Sequence, residues 1–416
     1  MSPVFFVQAL LVVGLPYFLW RCAGLRRLLP LVVVQIIVGI LLGPSVFGAL
    51  APHWWAGLFD AARGSMLPGL QWLAIALFSF LTGVHLRGQG GAGQGRATLW
   101  ICAGSIALPL LAGAAGGLWL AGNVGTALAA GGAAWFALAV GVCTAVTALP
   151  VLAAILREMR LDATPVGAMA LRCAAWNDAL IWILLAALLL AHRGAGMEPA
   201  AWLPPATVWG AAGAALLLAP PLMRWIGRRD FEPELHLVVA LISALGLALA
   251  FDLIGLHHVI GAFVAGLIWP RRHASRIAAQ IEPLTMVALL PFYFLGAGLR
   301  LPVGALSHDA LLVFAVTAPL AILAKMAGSA VPARLAGMAW REALALGALL
   351  QTKGMVEVVV LGVLLDAGLL GVTAFTGLLL TALATTLLAK PLTACLLRPR
   401  PAPRAAVAPR VAAVRF

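Results

Sequence analysis

Apolar residues run along this chain in long, nearly unbroken stretches separated by short polar connections. They cover Val4–Trp20, Leu31–Leu50, Leu67–Leu86, Leu99–Ala121, Ala133–Leu156, Pro165–Ala191, Ala206–Met223, Leu235–Phe251, Leu256–Trp269, Pro283–Leu299, Ala310–Ala330, Ala343–Leu365 and Val372–Leu388. Most approach or exceed the roughly 20 residues that carry a helix across a bilayer; the ninth is short. The pattern predicts an all-α polytopic membrane protein of about thirteen transmembrane helices.

Composition agrees: 63% hydrophobic residues and 10% charged residues exclude an ordinary soluble globule. A formal charge of +13 raises the question of a nucleic-acid partner, and the placement of the basic residues answers it. Of 27 Lys and Arg, 21 follow odd-numbered segments, three (Arg63, Arg193, Arg300) follow even-numbered ones, and three (Arg172, Lys325, Lys353) lie inside segments. That asymmetry is the positive-inside rule, so the N-terminus is expected outside and the C-terminus in the cytoplasm, with lipid rather than nucleic acid as the surrounding partner. Cys22, Cys102, Cys143, Cys173 and Cys395 show no metal-ligand spacing and read as packing residues. The first segment lacks a basic leader and reads as a retained helix. Residues 1–397 are expected to form the membrane domain, and 398–416 a short Pro/Arg/Ala-rich cytoplasmic tail.

Two passages recur about half a chain apart. Phe78-Ser79-Phe80-Leu81 is echoed by Phe292-Tyr293-Phe294-Leu295, and Val38-Gly39-Ile40-Leu41-Leu42-Gly43-Pro44 by Val264-Ala265-Gly266-Leu267-Ile268-Trp269-Pro270, at offsets of 214 and 226 residues. Segments one to six (residues 1–191) therefore correspond to segments eight to thirteen (231–397), with the seventh (192–230) as connector. A single connecting segment inverts the second unit, giving two inverted six-helix repeats, an architecture that places sites at the midplane on interrupted helices. Segment five carries Thr144, Thr147 and Pro150 at its centre, and segment twelve Thr352, Lys353 and Gly354. Proline disfavours continuous helix there.

Asn177 and Asp178 stand at the centre of segment six. An ionised carboxylate at that depth costs about 2.5–3.5 kcal/mol or more, and such residues mark ion or proton pathways. One carboxylate cannot hold a proton and a cation together, so competition at Asp178 would couple two fluxes, with Asp178 the expected monovalent-cation ligand. Asn177 offers an amide oxygen or an orienting hydrogen bond, and Thr147 and Thr144 offer hydroxyl or carbonyl oxygens. Lys325 is a second costly charge, able to snorkel toward the cytoplasm. Lys353 and Glu357, four residues apart, form a neutral pair suited to fixing the interrupted helix. Arg172 is expected to reach cytoplasmic water. His257 and His258 open segment nine and suggest pH sensing. Gly88 to Gly93 matches a dinucleotide-loop pattern by letter but follows no strand, which excludes that reading.

These same positions make the chain resemble the monovalent cation:proton antiporter family 2 of the sodium/hydrogen exchanger superfamily over roughly residues 30–395. The marks are Gly39-Ile40-Leu41-Leu42-Gly43-Pro44-Ser45, Thr147-Ala148-Leu149-Pro150-Val151-Leu152-Ala153, Trp176-Asn177-Asp178, Ile260-Gly261-Ala262-Phe263-Val264-Ala265-Gly266 and Gln351-Thr352-Lys353-Gly354-Met355-Val356-Glu357. The resemblance implies secondary antiport of Na+ or K+ against protons, with segments five and twelve unwound and crossing. It also implies elevator-type alternating access and a second domain that forms a homodimer. Asp178 would bind cation and proton, Thr147 would lie at the crossover, and Lys325 would be the lysine of segment eleven. No cofactor and no enzyme activity are implied, and the expected location is a bacterial inner membrane. Many members carry Asp where this chain has Asn177, paired with that lysine. The departure leaves Lys325 open to pairing with Asp178 or shedding its proton, and implies electroneutral exchange. A channel or uniporter, or an organic-anion carrier using Arg172, Lys325 and Lys353, would fit the same architecture.

Overall fold

In hydrocarbon each backbone N–H and C=O needs a partner within its own segment, so apolar runs of this length form helices. The computed structural model describes residues 3–22, 31–59, 67–88, 96–124, 132–162, 164–193, 205–229, 232–254, 257–299 and 306–397, and every regular element among them is helical. The conclusions on residues 398–416 and on the loop after Gly88 lie outside this set. Eight helices among the described residues are long and apolar enough to cross a membrane, and shorter apolar helices accompany them.

In chain order the helices are α1 (Pro3–Cys22), α2 (Leu31–Leu42), α3 (Pro52–Phe59), α4 (Leu67–Gly88) and α5 (Arg96–Val124). Segment five is split into α6 (Ala133–Ala145) and α7 (Leu149–Met159). Next come α8 (Pro165–Arg193), α9 (Pro205–Gly227), α10 (Pro233–Leu253) and α11 (His258–Ile268). After them lie α12 (Arg271–Leu284), α13 (Leu290–Leu299) and α14 (His308–Leu335). Segment twelve is split into α15 (Trp340–Leu349) and α16 (Met355–Asp366), and α17 (Val372–Leu397) ends the described chain.

Helix α12 corrects the sequence reading, which treats the basic stretch before segment ten as a connection. His273, Ala274, Ile277, Ala278 and Ile281 are buried at helical spacing. The stretch therefore has an inward apolar face, with Arg271, Arg272 and Arg276 turned elsewhere.

The helices sort into two bundles by their packing. Helices α5, α6, α14, α15 and α17 pack on one another, while α2, α4, α10, α11, α12 and α13 make a second set of mutual contacts. Each bundle draws on both halves of the chain. In the second bundle the echoed sequences touch reciprocally: a Cβ on Gly39 of α2 would strike the Phe294 carbonyl of α13, and one on Gly266 of α11 would strike the Phe80 carbonyl of α4. A backbone this close admits only glycine. Phe80 and Phe294 occupy the same place in the repeated Phe-x-Phe-Leu, and each meets a glycine of the other echoed passage, Gly266 and Gly39, whose places in that passage differ by one residue.

Candidate functional site

Both broken helices open at one place in the first bundle. Helix α6 stops at Ala145; Val146 turns extended, and Ala148 has φ −93° and ψ 108° before α7 begins. Pro150 falls in the first turn of α7, where its missing N–H would lack an intrahelical partner anyway. Helix α15 stops at Leu349, and Gly354 adopts φ +109° and ψ −127° before α16, a region essentially reserved for glycine. The two gaps are tied together: Ala148 N donates to Thr352 O at 2.7 Å, and Thr147 Oγ1 donates to Leu350 O at 2.9 Å.

A helix interrupted in a dry interior exposes carbonyls at the end of its first half and N–H groups at the start of its second. Each set finds a partner. Lys353 Nζ donates to the carbonyls of Cys143 and Thr144, the latter at 3.2 Å, and Lys325 Nζ donates to the carbonyl of Ala145. The negative end of the α6 dipole thus receives two ammonium groups. The Thr352 hydroxyl donates back to Leu349 O at 3.0 Å, and the backbone N–H of Lys353 donates to Thr386 Oγ1 of α17 at 3.0 Å.

Asp178 sits on α8 facing the start of α7, with the backbone of Leu149 beside its carboxylate. The residue is 4% exposed, yet Oδ1 has no hydrogen-bond partner among the described residues. Asn177, fully buried, donates from Nδ2 to Thr147 Oγ1 at 2.9 Å and accepts at Oδ1 from the Ser105 hydroxyl at 3.4 Å. Its amide is therefore engaged in bracing the gap, the orienting hydrogen bond of the two roles open to it. Thr144 is likewise tied by its hydroxyl to Pro109 O at 2.8 Å and Gly141 O at 2.9 Å.

The charged residues near the site settle differently from one another. Lys325 is 1% exposed and held by Ala145, so the snorkelling alternative is excluded. No Lys325–Asp178 ion pair forms within 4.0 Å among the described residues. Lys353 and Glu357 do pair, at 3.3 Å with both side chains 2% exposed. The surprise is that Lys353 lies in the gap rather than on a helix, and it serves the carbonyls of α6 as well as Glu357. Arg172 is exposed. His257 and His258 lie apart from the gaps: His258 is 3.8 Å from Asp252, and His257 Nδ1 accepts from Val259 N at the start of α11.

Two residues at the site escape a reading of sequence. Ser105 reaches Asn177 from α5, 72 residues away. Gln351, inside the gap, donates to Ile322 O at 2.8 Å and leaves Oε1 buried without a partner among the described residues. Ser105 carries no local signal; Gln351 is one of several polar letters within a recognisable motif.

Comparison with known proteins places this geometry. The sodium/hydrogen exchanger transmembrane family model matches residues 9–398. Cation/H(+) antiporter 20 of Arabidopsis thaliana is 33% identical over 380 residues, 87% of this chain and 44% of that protein. The chain thus spans less than half the length of that plant relative. Na(+)/H(+) antiporter NhaS4 of Synechocystis is 29% identical, covering 80% of this chain and 83% of its own. The structure of the sodium proton antiporter MjNhaP1 from Methanocaldococcus jannaschii superposes with a TM-score of 0.60 at 16% identity, covering 94% of this chain and 96% of that one. That likeness establishes a shared fold.

Proposed function

Because the chain belongs to the sodium/hydrogen exchanger family, we propose that it exchanges a monovalent cation, Na+ or K+, for protons, with Asp178 as the shared site. The observation that carries this reading is the buried Asp178 Oδ1, which has no hydrogen-bond partner among the described residues and stands at the junction of two helix gaps. A proton or a dehydrated cation would supply the missing partner, and each would exclude the other. Thr147 and Asn177 brace the gap beside it, and Gln351 adds a second oxygen without a partner. Lys325 and Lys353 are bonded to carbonyls and to Glu357, which leaves neither free to receive an organic anion.

With Asn177 neutral and Glu357 paired to Lys353, Asp178 alone changes its occupant, so one cation replaces one proton and the cycle moves no net charge. Alternating access would come from the first bundle sliding against the second in an elevator motion. The second bundle would hold a homodimer together, in an inner membrane with the N-terminus outside and the C-terminus in the cytoplasm. The test uses proteoliposomes: a pH gradient should drive cation accumulation, and an imposed membrane potential should leave the rate unchanged. Moving one charge would make the reaction sensitive to about 2.3 kcal/mol per 100 mV. A potential-driven rate overturns electroneutrality, and cation flux that a pH gradient cannot drive uphill identifies a channel or uniporter instead.

A further inference from the structure

Cys102 on α5 and Cys173 on α8, 71 residues apart in sequence, bring their sulfurs within 3.2 Å in a thiol–thiol contact. Both are free thiols; Cys102 keeps 3% of its surface open and Cys173 none. The pair lies next to the bracing residues. Ser105, three positions after Cys102, donates to the Cys102 carbonyl at 2.8 Å and to Asn177 at 3.4 Å, and Asn177 lies four positions after Cys173. One helical turn on each helix therefore separates the two sulfurs from the Ser105–Asn177 contact.

We propose that this buried dithiol is an oxidative modification site for a small, membrane-permeant peroxide, and that closing it to a disulfide disturbs the hold on Asn177. The Cys102 sulfur, the more open of the two, attacks the O–O bond of hydrogen peroxide as its thiolate, giving a sulfenic acid and, once the departing hydroxide is protonated, water. The Cys173 sulfur then displaces the sulfenic oxygen, forming the S–S bond and releasing a second water. Two thiols lose two electrons in all, and one peroxide gains them. A disulfide needs its sulfurs about 2.05 Å apart, so oxidation draws α5 and α8 together beside the 3.4 Å contact that steadies Asn177. The modification itself is independent of the exchange reading; its effect on flux rests on that reading.

The full chain in proteoliposomes is treated with hydrogen peroxide, alkylated and analysed by peptide mass spectrometry. A Cys102–Cys173 linked peptide that dithiothreitol removes is expected. In Cys173→Ala, dimedone should label Cys102, and in Cys102→Ala it should leave Cys173 unlabelled. Absence of the linked peptide in the unaltered protein, a measurement that needs no variant to fold, overturns the site; labelling of Cys173 in place of Cys102 overturns the order of attack. Peroxide should slow cation exchange several-fold in the unaltered chain, reversibly, and should leave Cys102→Ser and Cys173→Ser unaffected. Full cross-linking with no change in rate, or equal inhibition of both variants, overturns the coupling. Loss of exchange in the fully reduced protein would instead refute the proposed function and leave the cross-linking result standing.

Discussion

Where segment five breaks, the carbonyls of Cys143, Thr144 and Ala145 receive ammonium groups from Lys353 and Lys325. Where segment twelve breaks, those of Leu349 and Leu350 receive the hydroxyls of Thr352 and Thr147, and Leu349 also the Thr352 backbone N–H at 3.3 Å. The second halves differ too. Helix α7 starts against Asp178, a carboxylate from another helix, whereas α16 carries its own acid, Glu357, in its first turn. The two gaps have thus divided the work. The charges of the segment-twelve gap are matched within that gap, as Lys353 with Glu357. Those at the segment-five gap are brought in from α8, from α14 and from Lys353 of the other gap, and one oxygen of Asp178 has no hydrogen-bond partner among the described residues.

The largest stability effect should come from breaking the matched pair. Lys353→Ala strands Glu357 as a buried carboxylate and releases two carbonyls, at an expected cost of about 3–5 kcal/mol. It is read as a large fall in thermal unfolding temperature in detergent. Adding Glu357→Gln should restore part of that loss, because the stranded charge goes with it. Equal destabilisation by Lys353→Ala and Thr352→Ala would erase the distinction between the gaps.

A smaller effect is expected at Gly354, whose φ of +109° suits glycine and whose added Cβ would meet Val151 Cγ2 of α7 at 2.8 Å. Gly354→Ala should cost about 1–3 kcal/mol and slow exchange, since it pushes one gap against the other. A fully stable, fully active variant would show that the gaps do not depend on each other's shape.

Smallest is Thr147→Val, which removes the donor to Leu350 O and the acceptor for Asn177. About 1 kcal/mol per lost bond is expected, and Thr147→Ser should retain most of the stability and exchange. Loss of function in the serine variant would mean that the methyl group matters and the hydroxyl does not.

Much of this was legible in the residues themselves. Hydrocarbon tolerates few charges, so Asp178, Lys325 and Lys353 stand out against apolar surroundings, and Pro150 and Gly354 mark helix interruptions in the string of letters. The partners of those charges were not legible. That Lys353 serves Cys143 and Thr144 depends on α6 ending at Ala145 and on segment twelve crossing beside it, which is a fact of tertiary packing. Ser105 and the Cys102–Cys173 contact reach the site from another segment, and a buried serine or cysteine on a helix looks the same whether it touches a site or only packs. Helix α12 was hidden for the opposite reason, its arginines masking a regular apolar face in a run too polar to count as a membrane segment.

The most direct measurement follows a pH-sensitive dye in proteoliposomes as Na+ or K+ is added to the unaltered protein and to Asp178→Asn. Asparagine keeps the volume and a hydrogen-bonding oxygen but cannot take up or release the proton. Cation-driven dequenching is expected with the unaltered protein and none with a folded Asp178→Asn. Dequenching retained in that variant would place the exchange elsewhere in the molecule.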